Sequence, residues 1–215
     1  MRHGTSRRGG CARRGLTAAG SAALILLAAT PIAAQAPAAA TKTFESTQFR
    51  YTVALPAGCR HEEGPGTLDA VCSADLDPEK SAAASNAGSL VLGVVAEVVA
   101  GDAGKTASEL AQSYSETSFR DELPEAICGE SEKGRVKIGN VRQVLEEARV
   151  VYTADVICSE IKFLQIAERR ASVRLLIVPG TRYRLVARAP REDFEAQKDA
   201  IEAFFVSFSE LPPGK

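Results

Sequence analysis

The chain has 215 residues and divides into a basic N-terminal segment and an acidic remainder. Residues 1–40 hold five arginines and no acid, which leaves 21 basic and 27 acidic residues in residues 41–215, a net charge near −6. This balance argues against nucleic-acid binding, which depends on a basic surface, and the lack of Trp argues against a site that stacks on carbohydrate.

The first 40 residues have the pattern of a cleavable signal peptide. A basic start is followed by an apolar core at residues 22–29 and by small residues. Cleavage motifs of the A-x-A type end at Ala36 and Ala40, and we favour Ala40 because cleavage after Ala36 would leave Pro37 at the new N-terminus. A permanent membrane anchor is the alternative. A spanning helix needs about 20 predominantly apolar residues, and the apolar core here is roughly half that length. We therefore expect a periplasmic or secreted bacterial protein with a single domain over residues 41–215 and no stable membrane insertion after cleavage.

The first half of this domain is predicted to begin with strands and then to form a helix. Alternating residues 49–55 predict a strand with one solvated face, and residues 68–74 predict a second strand. Residues 81–88 are small and polar, which favours a loop. Residues 89–100 are apolar at consecutive positions, which is typical of a strand that is covered on both faces. Thr106 and Glu109 form a capping-box pattern, so we expect a helix there that ends before Pro124.

The second half is predicted to be a meander of strands followed by a helix. Candidate strands span residues 136–138, 141–145, 148–157, 161–167 and 173–178. Pro179 and Gly180 predict a tight turn into a last strand at residues 183–188. Residues 191–206 carry an apolar stripe at helical spacing, and residues 206–208 are a candidate tail strand.

Four cysteines remain after removal of the signal, namely Cys59, Cys72, Cys128 and Cys158. An even number in an exported chain favours two disulfides. Three pairings exist, and we favour Cys59–Cys72 with Cys128–Cys158, because each pair flanks segments that are predicted to be neighbouring strands. The alternative, a metal or redox site, is disfavoured because there is no C-x-x-C motif.

The sequence offers little support for catalysis, and we expect no cofactor and no metal. His61 is the one histidine of residues 41–215, and it lies in a polar segment that is typical of an exposed loop. No nucleophile motif accompanies it. Glu146 and Glu147 are adjacent, so on a strand they point to opposite faces and do not form a natural catalytic pair.

The most unusual feature is a run of seven arginines without an acid between positions 169 and 191. Arg182, Arg184 and Arg188 share one face of the last predicted strand. Guanidinium groups bind carboxylates and phosphates in a bidentate manner, so this stripe is a candidate site for an acidic protein or an anionic ligand. The alternative is a solvated face whose arginines pair with acids on neighbouring strands, such as Glu146, Glu147 and Glu168.

Two segments resemble the PsbP-like superfamily. Phe44 and residues 51–58 (YTVALPAG) are similar to its F-x-V-x-x-P-x-G opening, with Tyr51 in place of Phe. Residues 183–187 (YRLVA), a helix and residues 205–208 (FVSF) are similar to its C-terminal end. The resemblance implies an α+β fold, an α/β/α sandwich with a central, mainly antiparallel sheet and two main helices. It carries no activity, because members share a fold and act mainly as accessory or binding proteins.

These observations together favour a non-enzymatic, exported accessory or binding protein. One alternative is an exported hydrolase with His61 or an acid at its site. Another is a carrier of a small apolar ligand inside the sandwich.

Overall fold

A computed structural model describes residues 41–72, 90–129, 135–162 and 165–212. Ten strands and four helices follow one another along these residues. The strands are β1 (Thr41–Ser46), β2 (Tyr51–Pro56), β3 (Arg60–Gly64), β4 (Thr67–Cys72), β5 (Leu90–Val98), β6 (Val136–Leu145), β7 (Val150–Lys162), β8 (Gln165–Val178), β9 (Thr181–Pro190) and β10 (Ser209–Glu210). The helices are α1 (Ala107–Ser113), α2 (Glu116–Leu123), α3 (Arg191–Ala196) and α4 (Lys198–Ser207).

Seven of the strands form one antiparallel sheet in the order β3-β4-β5-β9-β8-β7-β6. A small sheet of order β1-β2-β10 accompanies it. The small sheet and the C-terminal helices pack on one side of the large sheet, which we call the α3–α4 face. Helices α1 and α2 pack on the other side, the α1–α2 face. The α+β class and the antiparallel central sheet predicted from the sequence are therefore confirmed.

The two layers cover different halves of the large sheet. On the α3–α4 face the core is centred on β4, β5 and β9, where Leu92 and Leu185 pack against Phe204 and the small sheet. On the α1–α2 face the core is centred on β7 and β8, where Tyr152 and Leu175 contact the two helices. Each fully buried side chain of this size stabilises the fold by roughly 1.5–3 kcal/mol. This offset leaves β6, β7 and β8 less covered on the α3–α4 face.

Local sequence signals explain where the helices begin. The Thr106 side chain accepts from the Glu109 backbone N–H, and the Glu109 carboxylate accepts from the Thr106 N–H, so the predicted capping box is confirmed. The single predicted helix is interrupted, because the Ser115 hydroxyl caps a second helix by accepting from the Ser118 N–H. As predicted, that α-helix ends before Pro124, and a π-helical turn at Pro124–Cys128 follows.

The structure corrects several sequence predictions of strands and helices. The segment 161–167 is not one strand, because β7 ends at Lys162 and β8 begins at Gln165. Strand β5 is not fully covered on both faces, since Leu92 and Val94 are buried on one face while Val95 on the other face is exposed. The last helix breaks at Gln197, whose ψ of 19° lies outside the helical range, and the strand after it is Ser209–Glu210.

Some predictions lie outside the described residues. They are the signal peptide at residues 1–40, positions 73 and 74 of the second strand, and the loop at residues 81–88. Within the described ranges, no helix is both long enough and apolar enough to cross a membrane.

Candidate functional site

The arginines of segment 169–191 divide between the two faces of the large sheet. Side chains alternate along a strand, and paired residues on neighbouring strands share a face. Arg174 pairs in register with Leu185, which places both residues on the α3–α4 face. Arg182 and Arg184 pair with Ile177 and Leu175, which places them on the α1–α2 face. Two separate arginine groups therefore arise from one basic run.

On the α1–α2 face, Arg182 is bound by a buried acid. Its Nη2 donates to Asp102 Oδ2 at 2.9 Å, and Lys105 Nζ donates to Asp102 Oδ1 at 2.7 Å. The Asp102 side chain is 5% exposed, and it lies in the short 3-10 turn that leads into α1. The hydrogen bond from Lys105, together with Arg182, holds the pKa of Asp102 below its usual value, although burial opposes this. The guanidinium also lies over the Tyr114 ring, 5.0 Å from its centroid.

Arg184 is also paired on this face, whereas Arg188 is exposed. Arg184 Nη2 donates to Glu122 Oε2 on α2 at 3.0 Å. Burial, followed by the nearby Glu122 carboxylate, raises the pKa of Tyr114. Arg188 makes no hydrogen bond or ion pair with another described residue. We call the contacts of Arg182 and Arg184 with Asp102 and Glu122 the helix-side ion pairs, because they fasten the helical layer to β9.

The acids in these pairs differ from those suggested by the sequence. Of the three acids considered, Glu168 on β8 binds Arg191, and Glu146, which lies after the end of β6 and not on a strand, binds Arg149. Arg182 and Arg184 instead pair with Asp102 and Glu122, which lie 80 and 62 residues away in the sequence.

The α3–α4 face holds an open groove of about 710 Å³ over the less covered half of the sheet. Strands β6, β7 and β8 form its floor, and α3 and α4 form one wall. Five cationic side chains line it, namely Lys137, Arg142, Arg170, Arg174 and Lys198. Three acids line it as well, Asp155, Glu195 and Glu202. The site is thus a cationic groove in a chain whose net charge is negative.

The strand register orders the floor of the cationic groove into rows. Lys137, Ile157 and Arg170 lie side by side on β6, β7 and β8 and form the first cationic row. Gly139, Asp155 and Ser172 form the central row. Arg142, Thr153 and Arg174 form the second cationic row.

A β-bulge in β6 places Arg142 on the groove side. Gly139 pairs with Asp155 and Arg142 pairs with Thr153, so Asn140 and Val141 together oppose the single residue Ala154. Asn140 takes up the irregularity in the left-handed region, with φ of 52°. Val141 therefore packs against the core of the α1–α2 face, and the next side chain, Arg142, faces the groove.

The centre of the groove is held by polar contacts. Asp155 accepts from Asn140 Nδ2 at 2.6 Å and from Ser172 Oγ at 2.7 Å. Both donors are neutral, so the Asp155 carboxylate keeps an uncompensated negative charge in the middle of the floor. It is exposed and can accept further hydrogen bonds from a ligand.

The cations of the groove differ in how they are engaged. Arg170 pairs with Glu195 of α3. Arg174 donates to the Phe205 carbonyl at 3.2 Å and lies over the Phe205 ring, but no acid neutralises it among the described residues. Lys137, Arg142 and Lys198 are exposed and make no hydrogen bond or ion pair with a described residue. The groove therefore has unpaired positive charge on its edge strand and on its helical wall.

The other candidate residues lie away from the groove. Cys59 is bonded to Cys72, and Cys128 is bonded to Cys158, which is the pairing favoured from the sequence. His61 lies on strand β3 rather than in a loop, with Nε2 3.8 Å from Glu63 Oε1 and its ring against Phe44. No group of three or more metal-ligating side chains occurs in the described ranges.

Comparison with solved structures relates the fold to known proteins. Cyanobacterial PsbP (CyanoP) from Synechocystis sp. PCC 6803 matches with a TM-score of 0.51 and 14% identity, over 81% of this chain and 94% of that chain. LpqN, involved in cell envelope biogenesis of Mycobacterium tuberculosis, matches with a TM-score of 0.47 and 10% identity, over 80% and 91% of the two chains. No family model and no curated protein sequence matches the chain. At this identity the similarity concerns the fold, and the fold of the chain is PsbP-like.

Proposed function

We propose that this chain is an exported, non-enzymatic binding protein that takes an anionic ligand in the cationic groove. The observation that carries the proposal is the convergence of five cationic side chains on one open groove of an acidic protein. Three of them have no partner among the described residues, so their charge is available to a ligand. The two disulfides and the signal-like N-terminal segment support an exported location.

The groove supports anion binding better than the arginine stripe does. Arg182 and Arg184 already bind intramolecular acids, and a ligand would have to compete with these contacts. Arg142 and Lys137 are exposed on the edge strand. Neither has a partner among the described residues, so a ligand would not have to displace one. The anionic ligand expected from the sequence is therefore retained, but its proposed site moves from one face of the sheet to the other.

The alternatives have weaker support. A carrier of an apolar ligand needs an apolar cavity, and the groove is lined with eight charged side chains. A hydrolase based on His61 needs a nucleophile beside the imidazole, and among the described residues the charged side chain near His61 Nε2 is the carboxylate of Glu63, at 3.8 Å.

Two matched variants test the proposal. Arg142 and Arg188 are both exposed arginines on strands, and neither has a partner in the described chain, but only Arg142 lies in the groove. We expect the protein, purified after expression of the full chain, to bind citrate in isothermal titration calorimetry at low salt. Arg142→Ala should weaken binding about tenfold, because a charge-assisted hydrogen bond contributes roughly 1.5–3 kcal/mol. Arg188→Ala should leave it unchanged.

Either of two results would reject the proposal. Absence of citrate binding would show that the groove does not hold anions. A loss of binding in Arg188→Ala, with normal binding in Arg142→Ala, would move the site to the arginine stripe.

A further inference from the structure

We infer that the cationic groove selects an extended acidic peptide whose acids stand four residues apart, with a neutral side chain between them. This inference rests on the proposed function, because it specifies the ligand of the same site. It follows from the spacing of the three rows on the floor and from the negative charge of the central row.

The two cationic rows are separated by four residues along the strands. Arg170 and Arg174 on β8 mark the two rows, and so do Ile157 and Thr153 on β7. A strand rises roughly 3.3 Å per residue, so the rows lie about 13 Å apart. A carboxylate or phosphate is much smaller than this distance and can contact one row at a time. A ligand that uses both rows must therefore carry two separate anionic groups.

Each row has room for one anionic group. In the second row, Arg142 and Arg174 flank Thr153 across two strand spacings, or roughly 10 Å between backbones. Their long side chains can approach a carboxylate above Thr153, whose hydroxyl can donate to it. In the first row Arg170 is partly neutralised by Glu195, which leaves Lys137 as the free cation. The second row should therefore bind more strongly.

The central row determines what lies between the two anionic groups. Asp155 would repel an acid placed above it, and it can accept hydrogen bonds from N–H or O–H groups. An extended peptide meets these demands, because its rise per residue equals that of the floor and a neutral side chain with a hydroxyl or amide group between its acids supplies the donor. Side chains at positions i, i+2 and i+4 of such a peptide point the same way. Acids at i and i+4 then face the cationic rows, and a neutral residue at i+2 faces Asp155.

Two peptide isomers test the spacing directly. Acetylated and amidated Asp-Gly-Ser-Gly-Asp has the predicted spacing, and Asp-Gly-Asp-Gly-Ser has the same composition and charge with acids two residues apart. We expect the first isomer to bind about fivefold more tightly by calorimetry, because it gains one additional ion pair and avoids Asp155. Asp155→Asn should reduce this preference, and Arg188→Ala, on the opposite face, should leave it intact.

Decanedioate serves as a third ligand, since its carboxylates can span a similar distance without donors between them. We expect it to bind more weakly than the first peptide. Equal binding would show that two charges suffice and would overturn the peptide assignment. Equal affinity of the two isomers, with citrate binding that still depends on Arg142, would overturn the inference and leave the proposed function in place. Failure of citrate and of both peptides to bind would reject both.

Discussion

Arg182 and Arg174 lie on neighbouring strands of one sheet, yet their guanidinium groups face opposite layers of the protein. Arg182 meets Asp102, an acid that is 5% exposed and that also binds Lys105. Arg174 meets a carbonyl and an aromatic ring, which leave its charge unneutralised among the described residues. Arginine of the same segment thus contributes to internal ion pairs on one face and to an open cationic surface on the other.

The difference arises from what covers each face. On the α1–α2 face, the turn before α1 and helix α2 bring Asp102 and Glu122 over β9. On the α3–α4 face, α3 brings one acid, Glu195, to Arg170, and the β6 side remains open. Removing an acid from the α1–α2 face should therefore affect stability, whereas removing a cation from the groove on the α3–α4 face should affect binding.

The largest expected effect on stability comes from the disulfide that ties the end of the helical layer to β7. Cys128–Cys158 closes 30 residues and Cys59–Cys72 closes 13. The chain-entropy relation gives about 3.5 kcal/mol for the first and about 3 kcal/mol for the second. We expect Cys128→Ala with Cys158→Ala to lower the free energy of unfolding by this amount in urea. Equal urea midpoints for this double variant and the wild type would contradict the expectation.

The next largest effect concerns Asp102. Asp102→Ala leaves the partly buried Arg182 without its carboxylate, which should cost about 3 kcal/mol of unfolding free energy. Glu195→Ala is the matched control, because it removes the acid of Arg170 at a site where that acid is 56% exposed. An exposed pair contributes less than about 1 kcal/mol. The account of the two faces would be wrong if both variants lost the same free energy in urea unfolding.

Asp102 should also make stability depend on pH. Its pKa is lowered in the folded protein, first by the hydrogen bond from Lys105, so its contribution is full above the unfolded-state pKa of about 3.9. The contribution is lost as the pH falls through the lower, folded-state value. The difference in unfolding free energy between wild type and Asp102→Asn should therefore be constant from about pH 7 to 5 and shrink below about pH 4. A difference that persisted unchanged to pH 2 would show that the charge of Asp102 contributes little.

The smallest effect on stability is expected in the groove. Arg142 is exposed and has no partner in the described chain, so Arg142→Ala should change the free energy of unfolding by less than about 0.5 kcal/mol. Thermal unfolding measured by circular dichroism can check this. A loss of more than about 2 kcal/mol would show that Arg142 supports the fold, and its effect on citrate binding could then not be assigned to direct contact.

Local patterns in the sequence predicted much of the fold. The capping box at Thr106, the turn at Pro179 and Gly180, and the alternation along β9 each depend on residues close in the chain. The break after α1 could also have been found, because Ser115 is a good N-terminal cap. The alternation correctly placed Arg182, Arg184 and Arg188 on one face, but it could not show which layer that face meets.

The cationic groove was not predicted because it depends on the register of three strands and on the β-bulge. If side chains alternated strictly from Gly139 onward, with no bulge, Val141 and not Arg142 would face the groove. The sequence did contain a sign of the bulge, because the apolar residues Val136, Ile138 and Val141 depart from strict alternation. In the structure all three pack against one core. Asp102 was missed for a similar reason, because it follows β5 and is 80 residues from Arg182.

The central claim is that the cationic groove on the α3–α4 face binds an anion and that the α1–α2 face does not. This claim can be tested directly by NMR. Citrate is added to the ¹⁵N-labelled protein, and backbone amide shifts are followed at low salt. We predict that the largest changes occur on β6, β7 and β8 around Gly139, Arg142 and Asp155, with helices α1 and α2 unaffected. Changes centred on Arg188 and β5, or no changes on β6, would contradict the account.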